Sequence, residues 1–263
     1  MSEFHAEWLI PKWPVPAGVH AVCTTRVGGV SKSPYDSLNV ADHLGDDPTH
    51  VAANRAIFQQ AIGARPVFLK QVHGTRVLTV NATTPNACEA DACMTNEPGI
   101  ACTVMVADCL PVLLCSSKGD GVAAIHAGWM GLAGQGGVGI LEETYKAFCA
   151  LGRMDKAQVA TEIIAWLGPC IGPQVFEVED NVRLAFITQH EEANQMFRLQ
   201  PNGKWLCNLS GLARQRLAKL GITQVHGNDG SDQWCTLTQP SRFFSFRSEP
   251  VSGRIAVGIW MDR

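Results

Sequence analysis

Residues Ile100–Cys115 read IACTVMVADCLPVLLC, the longest apolar run in the chain. Asp108 and Pro111 interrupt it, and it is too short to cross a bilayer. Val, Ile, Thr and Cys dominate, so the run reads as two buried strands, Ile100–Ala107 and Pro111–Ser116, with a turn between them at Asp108 and Cys109.

Working outward, strand-like segments recur at Val19–Thr25, Val67–Val80 (a hairpin about Gly74), Val122–His126, Glu162–Leu167, Trp205–Cys207 and Ile255–Trp260. Helix-like segments lie among them. Asp47 followed by Pro48 opens one helix and Gly63 closes it. A second runs from the glycines at 136–139 to about Ala150, a third from Glu179 to Phe197, and a fourth from Leu209 to Leu220, ending at Gly221. The elements mix without strict alternation. That predicts an α+β fold with mixed strands and helices, in a single domain over residues 1–263.

The 263 residues are 46% hydrophobic with a net charge of −3, and no Lys/Arg run stands out. This argues against a nucleic-acid partner. The N-terminal MSEFHAEWLIPKWPVP carries Glu3 and Glu7 and lacks the pattern of a secretory signal, so a cytoplasmic chain with no membrane segment is expected. Most of the ten cysteines, such as Cys23, Cys102 and Cys115, sit inside apolar strand-like runs and read as small buried hydrophobes.

Three apolar strands end in a polar residue just before a turn: FLKQVHG at His73, TVMVADCLP at Asp108 and Cys109, and VAAIHAGW at His126. Rigid sheet ends beside open loops are common places for functional side chains. Two imidazoles and a thiolate suit zinc and leave a fourth position for water or substrate. The spacing matches no short zinc signature, so a Cys109–histidine nucleophile pair stands beside the metal reading. Asp108 is a candidate proton shuttle or a turn cap. Arg26, beside Gly28 and Gly29, and Arg247, ending FFSFR, are candidate anion binders or solvated arginines. The stretch GLAGQGGVG (131–139) lacks a P-loop ending; it could cradle an anion or be a plain connection. The His-x-Glu and Pro-Cys-x-x-Cys pattern of zinc nucleotide deaminases is absent. The eight histidines include no His-x-His pair, so a multinuclear copper cluster is not expected.

Taken together, TTRVGGVS, YDSLNVADHLGDDP, FLKQVHG, EADA, ADCLPVLLC, HAGW, LGPCIGP with FEV, and FFSFR resemble the laccase-domain, or multicopper polyphenol oxidase-like, family, later described as purine nucleoside phosphorylases. The resemblance runs from about Thr24 to Arg247, and it implies an α+β fold of mixed, stacked β-sheets flanked by helices. It implies a metal site on His73, Cys109 and His126, holding zinc, with copper and phenol oxidation as the alternative. It implies phosphorolysis of adenosine, inosine and methylthioadenosine, adenosine deamination, and a homodimer as an expected assembly. Within the matching stretches, Arg26, Asn39, Gln71 and Arg247 are the expected substrate-binding residues. One departure stands out: where the family usually reads His-Ala-Gly-Trp-Arg-Gly, this chain has Met130. Methionine cannot bind phosphate as arginine can.

Overall fold

The structure is a computed structural model and describes residues 4–151 and 162–263. Two sheets carry the fold. The first has four strands, β1 (Val19–Cys23), β2 (Arg65–Phe68), β5 (Ile100–Val106) and β13 (Ile255–Met261), in the order β1-β13-β5-β2. The second has six, β3 (Val77–Thr79), β4 (Ala92–Thr95), β6 (Leu110–Ser116), β7 (Val122–Ala127), β8 (Ile163–Leu167) and β12 (Gln224–Gly227), in the order β12-β8-β6-β7-β4-β3. Parallel pairs (β2 with β5, β3 with β4, β12 with β8) mix with antiparallel ones, so the architecture is α+β. A small sheet of β9 (Glu177–Val178), β10 (Phe197–Leu199) and β11 (Trp205–Cys207) lies apart.

The sheets stack face to face. In β5, Ile100, Cys102, Val104 and Val106 meet Cys93, Leu113, Cys115, Ala124 and Trp166 of the second sheet. The alternate residues Ala101 and Met105 face Phe58 and Ile62 of helix α1 (Pro48–Ile62). The outer face of the second sheet, with Val112, Leu114 and Ile125, packs on Phe148 of α3 (Ile140–Leu151) and on Leu212 and Leu217 of α5 (Leu209–Lys219). The layers therefore run helix, sheet, sheet, helix. Strands buried on both faces explain why Ile100–Cys115 is apolar without alternation. Cys23, Cys102 and Cys115 are buried in this core, as their surroundings in the sequence predict.

Helix α1 has the predicted ends. The Asp47 carboxylate accepts the Thr49 N–H at 2.8 Å, Pro48 occupies the first turn, and Gly63 closes the helix at φ 64°. Two expectations are corrected. There is no hairpin about Gly74: β2 belongs to the first sheet and β3 to the second, so the segment between them crosses from sheet to sheet. The single helix expected from Glu179 to Phe197 is instead α4 (Asp180–Ile187), a 3₁₀ turn at Glu191–Met196, and β10. Thr188 turns its hydroxyl back onto the Leu184 carbonyl as α4 ends, and Phe197 pairs with Cys207 in the small sheet. A short helix α2 (Trp129–Ala133) follows β7 directly, beyond the four helices that the sequence predicts. No helix among the described residues is long and apolar enough to cross a membrane.

Candidate metal centre and its cavity

The crossover between the sheets carries His73, the turn from β5 to β6 carries Cys109, and β7 carries His126 beside it, with Pro111 of β6 opposite His126 in register. The two turn positions are held in left-handed backbone, His73 at φ 61° and Asp108 at φ 82°, which non-glycine residues adopt only where surrounding contacts impose it. One ligand atom from each of His73, Cys109 and His126 lies within 4.8 Å of the others. Cys109 Sγ is 3.6 Å from His73 Nε2. Tetrahedral zinc, with Zn–S near 2.3 Å and Zn–N near 2.0–2.1 Å, would set sulfur and nitrogen about 3.6 Å apart. The donor set and this sulfur–nitrogen distance therefore fit a metal ion, and three protein ligands would leave one position for water or substrate.

Gly128 presses its bare backbone against the triad. A Cβ there would come within 2.8 Å of His73 Cδ2 and 2.9 Å of Cys109 Sγ. The glycine of HAGW is thus a steric requirement of the site.

Asp91, in the EADA stretch, organises the centre. It is fully buried just before β4. Its Oδ1 accepts from His126 Nδ1 at 2.9 Å and from the His73 N–H at 2.9 Å, and its Oδ2 accepts from the Gly74 N–H at 2.7 Å; the Val72 N–H adds a bond at 3.2 Å. One carboxylate therefore pins the crossover loop and leaves His126 Nε2 free for the centre. Burial works against ionisation of Asp91, but the His126 contact and the backbone N–H groups hold its pKa below the usual value. Burial also opposes a charged Cys109, yet the neighbouring His126 and His73 bring the thiol down to about 6. Burial alone would depress His126; the Cys109 thiolate and the Asp91 carboxylate instead raise it to about 9. Without metal, the pair is a thiolate facing an imidazolium near neutral pH.

The triad sits in a cavity of about 370 Å³, within the range of small-molecule sites. Trp129, Phe176 and Phe246 supply aromatic wall, and Arg247 and Arg254 supply charge. Of the remaining expected residues, Asp108, Gln71 and Arg247 line the cavity, whereas Arg26 and Asn39 do not. Asp108 lies in the turn rather than on extended strand. Its carboxylate accepts from the Thr236 hydroxyl at 2.6 Å and from the Arg247 N–H at 2.7 Å. Gln71 spends its amide on the Met105 backbone, donating to its carbonyl at 2.8 Å and accepting its N–H at 2.7 Å. Arg26 donates to the Asp36 and Pro240 carbonyls at 3.0 and 2.9 Å and covers the Phe244 ring. Asn39 is buried and bonds to Ala41, Asp46 and the Arg254 N–H. In the glycine-rich stretch, Gly134, Gln135, Val138 and Gly139 donate their N–H groups to partners within the chain, and Arg216 donates to the Gly137 carbonyl. Arg254 lies in SGRIAV, a stretch with no pattern that marks it as a site residue.

Comparison with known proteins agrees with the motifs quoted above. The family described as multi-copper polyphenol oxidoreductase laccase matches residues 20–262. A Shigella flexneri protein named purine nucleoside phosphorylase YfiH is 46% identical over 255 residues, covering 96% of this chain and 98% of its own. The Escherichia coli (strain K12) protein of that name is 45% identical, with the same coverage. The crystal structure of Neisseria meningitidis protein NMB0706 superposes with a TM-score of 0.88 at 40% identity, over 98% of this chain and all of that one. The chain belongs to the multi-copper polyphenol oxidoreductase laccase family.

Proposed function

We propose that this chain is a metal-dependent purine nucleoside phosphorylase acting on adenosine, inosine and methylthioadenosine, with adenosine deamination as a second activity. The observation that carries the reading is the His73–Cys109–His126 cluster at the wall of a nucleoside-sized cavity that also holds aromatic faces and arginines. The relatives' names supply the reaction class. His73, Cys109 and His126 would hold zinc, which supplies Lewis-acid polarisation and lowers the pKa of bound water when present. In phosphorolysis, a phosphate oxygen forms a bond to C1′ as the C1′–N9 bond breaks, and the purine leaves with a proton on a ring nitrogen. Trp129, Phe176 and Phe246 offer flat apolar surface for the base. Arg247, fixed by its Nη1 on the Glu177 carbonyl at 2.9 Å, offers a cation to the phosphate. Asp108 is assigned as the anchor of Arg247 and Thr236 rather than as a proton carrier, because both of its oxygens already accept short hydrogen bonds. Gln71 and Asn39 are assigned positioning roles through the backbone of Met105 and Arg254, and Arg26 a latch on the Asp36 turn.

The test is to incubate the metal-loaded protein with adenosine, with and without phosphate. Adenine and ribose 1-phosphate that form only with phosphate are expected, together with inosine that forms without it. Neither product from fully loaded protein would sink the reading.

Metal binding should also depend on pH in a defined direction. Between about 6 and about 9 the metal-free site holds one proton on His126 that the metal must displace, so affinity rises about tenfold per pH unit. Below about 6 the Cys109 thiolate is protonated too, and the slope steepens. Above about 9 neither group contributes a slope. Competition with a chelator across pH 5–10 reads this out; a flat profile from pH 6 to 9 would contradict it.

A further inference from the structure

The cavity contains a cation that meets no carboxylate. Arg254 enters β13 half-buried and lines the cavity beside the triad. Among the described residues, Arg26, Arg55, Arg183 and Arg216 each face an acidic side chain within 4.0 Å, whereas no such ion pair includes Arg254. Its Nη1 donates to the Ser252 and Gly253 carbonyls at 3.0 and 2.9 Å, and the guanidinium lies over the Phe246 ring. Burial pulls its pKa below the usual arginine value, against the negative charges of Cys109 and Asp108. Neither group reaches Arg254 as an ion-pair partner: both Asp108 oxygens accept from the Thr236 hydroxyl and the Arg247 backbone N–H, and Cys109, on the reading above, is committed to the metal. A half-buried guanidinium in that position is costly unless an anion answers it.

The residue is also held in place. Its backbone N–H donates to the buried Asn39 Oδ1 at 3.0 Å, and Asn39 is itself fixed by Ala41 and Asp46. A side chain at Gly253 would come within 2.6 Å of Phe244 and 2.8 Å of the Asn39 Cβ, so only glycine lets the chain pass there. Such support is what a pre-organised binding group requires. Met130, which also lines the cavity and is 46% exposed, offers no charge.

We propose that Arg254 anchors an oxyanion subsite for inorganic phosphate, with Arg247 as its second cation, so that the site needs no arginine at position 130. This rests on the phosphorolytic reading above, but it is tested separately from it. The metal-loaded full chain and its Arg254→Gln and Arg254→Lys variants are compared in two assays: calorimetric binding of inorganic phosphate, and KM for phosphate against KM for adenosine. Arg254→Gln should raise the phosphate KM and the phosphate dissociation constant by at least about tenfold. The adenosine KM should stay within about twofold, with metal content retained, since the metal ligands are untouched. Arg254→Lys keeps the charge and loses the fork, so it should fall between the two. Phosphate binding that disappears in Arg254→Gln, in a protein that makes no ribose 1-phosphate, keeps the subsite and rejects the reaction. Phosphorolysis with an unchanged phosphate KM in Arg254→Gln keeps the reaction and overturns the subsite. If Arg254→Gln fails to fold, the lysine variant decides, and a phosphate KM equal to wild type overturns the proposal.

Discussion

Asp91→Asn is expected to weaken metal binding by about 10–100-fold, the usual scale for losing the outer partner of a metal-binding histidine, and to destabilise the chain by about 3 kcal/mol. The carboxylate accepts hydrogen bonds from His126 and from the N–H groups of Val72, His73 and Gly74, all at 2.7–3.2 Å. Asparagine keeps one acceptor oxygen but turns an NH₂ group towards donors, so at least one buried N–H loses its partner. The crossover loop then loosens and His126 loses the group that fixes its tautomer, and both effects reach the metal. The same geometry sets an acid limit. Because the folded-state pKa of Asp91 is depressed, its contribution is present at neutral pH and is lost as pH falls through that lowered value. Chelator competition measures the affinity and denaturant unfolding measures the stability. A variant with wild-type affinity would show that the histidines need no such support.

Asp91 and the three candidate metal ligands differ in how plainly the sequence marks them. His73, Cys109 and His126 were legible because each ends an apolar run before a turn, a local pattern, and the quoted motifs agree with it. The two strands of Ile100–Cys115 were legible from their Val, Ile, Thr and Cys content, and the run is apolar without alternation because both strands are covered on two faces, whereas the stacking of the sheets came from the quoted motifs together. Helix α1 announced its ends through Asp47, Pro48 and Gly63. Arg254 has no comparable local mark, and Asp91, although it lies in the quoted EADA stretch, has no local pattern that tells its role. Each is a charged residue beside a strand, and its meaning comes from residues up to 215 positions away, as in the bond from Arg254 to Asn39. Arg26 shows the reverse: an arginine beside two glycines reads equally as an anion fork or as a latch, and only its contacts with Asp36 and Pro240 separate the two. The hairpin expected about Gly74 failed for a similar reason. Two short apolar runs separated by a glycine suggest local pairing, but β2 and β3 find parallel partners in different sheets.

Cys109→Ala is expected to strip the metal and remove the nucleoside activities together, with a loss of affinity beyond the about 100-fold typical of outer-shell changes. Two histidines remain, but His126 then lacks the thiolate that faces it, and the Asp91 contact still favours its protonated form. Thiolate is also the donor that makes the set suitable for zinc at neutral pH, because the neighbouring histidines bring its pKa to about 6 and leave it ionised, so that the proton the metal displaces is the one on His126. Cys109→Ser tests this directly: the hydroxyl has nearly the same shape but stays protonated, so it should lose metal almost as fully as alanine. Cys109 interacts with His126, whose Nδ1 meets the Asp91 carboxylate, the set of groups a thiol nucleophile with an oriented base would use, and that is the rival reading of the same atoms. Alkylation separates the two. A metal ligand is protected from iodoacetamide when the ion is bound and reacts quickly near neutral pH once it is removed. A nucleophile is modified in either state, and its loss leaves the metal content unchanged. Retention of the metal by Cys109→Ala would therefore reject the metal centre as drawn and turn the site over to thiol chemistry.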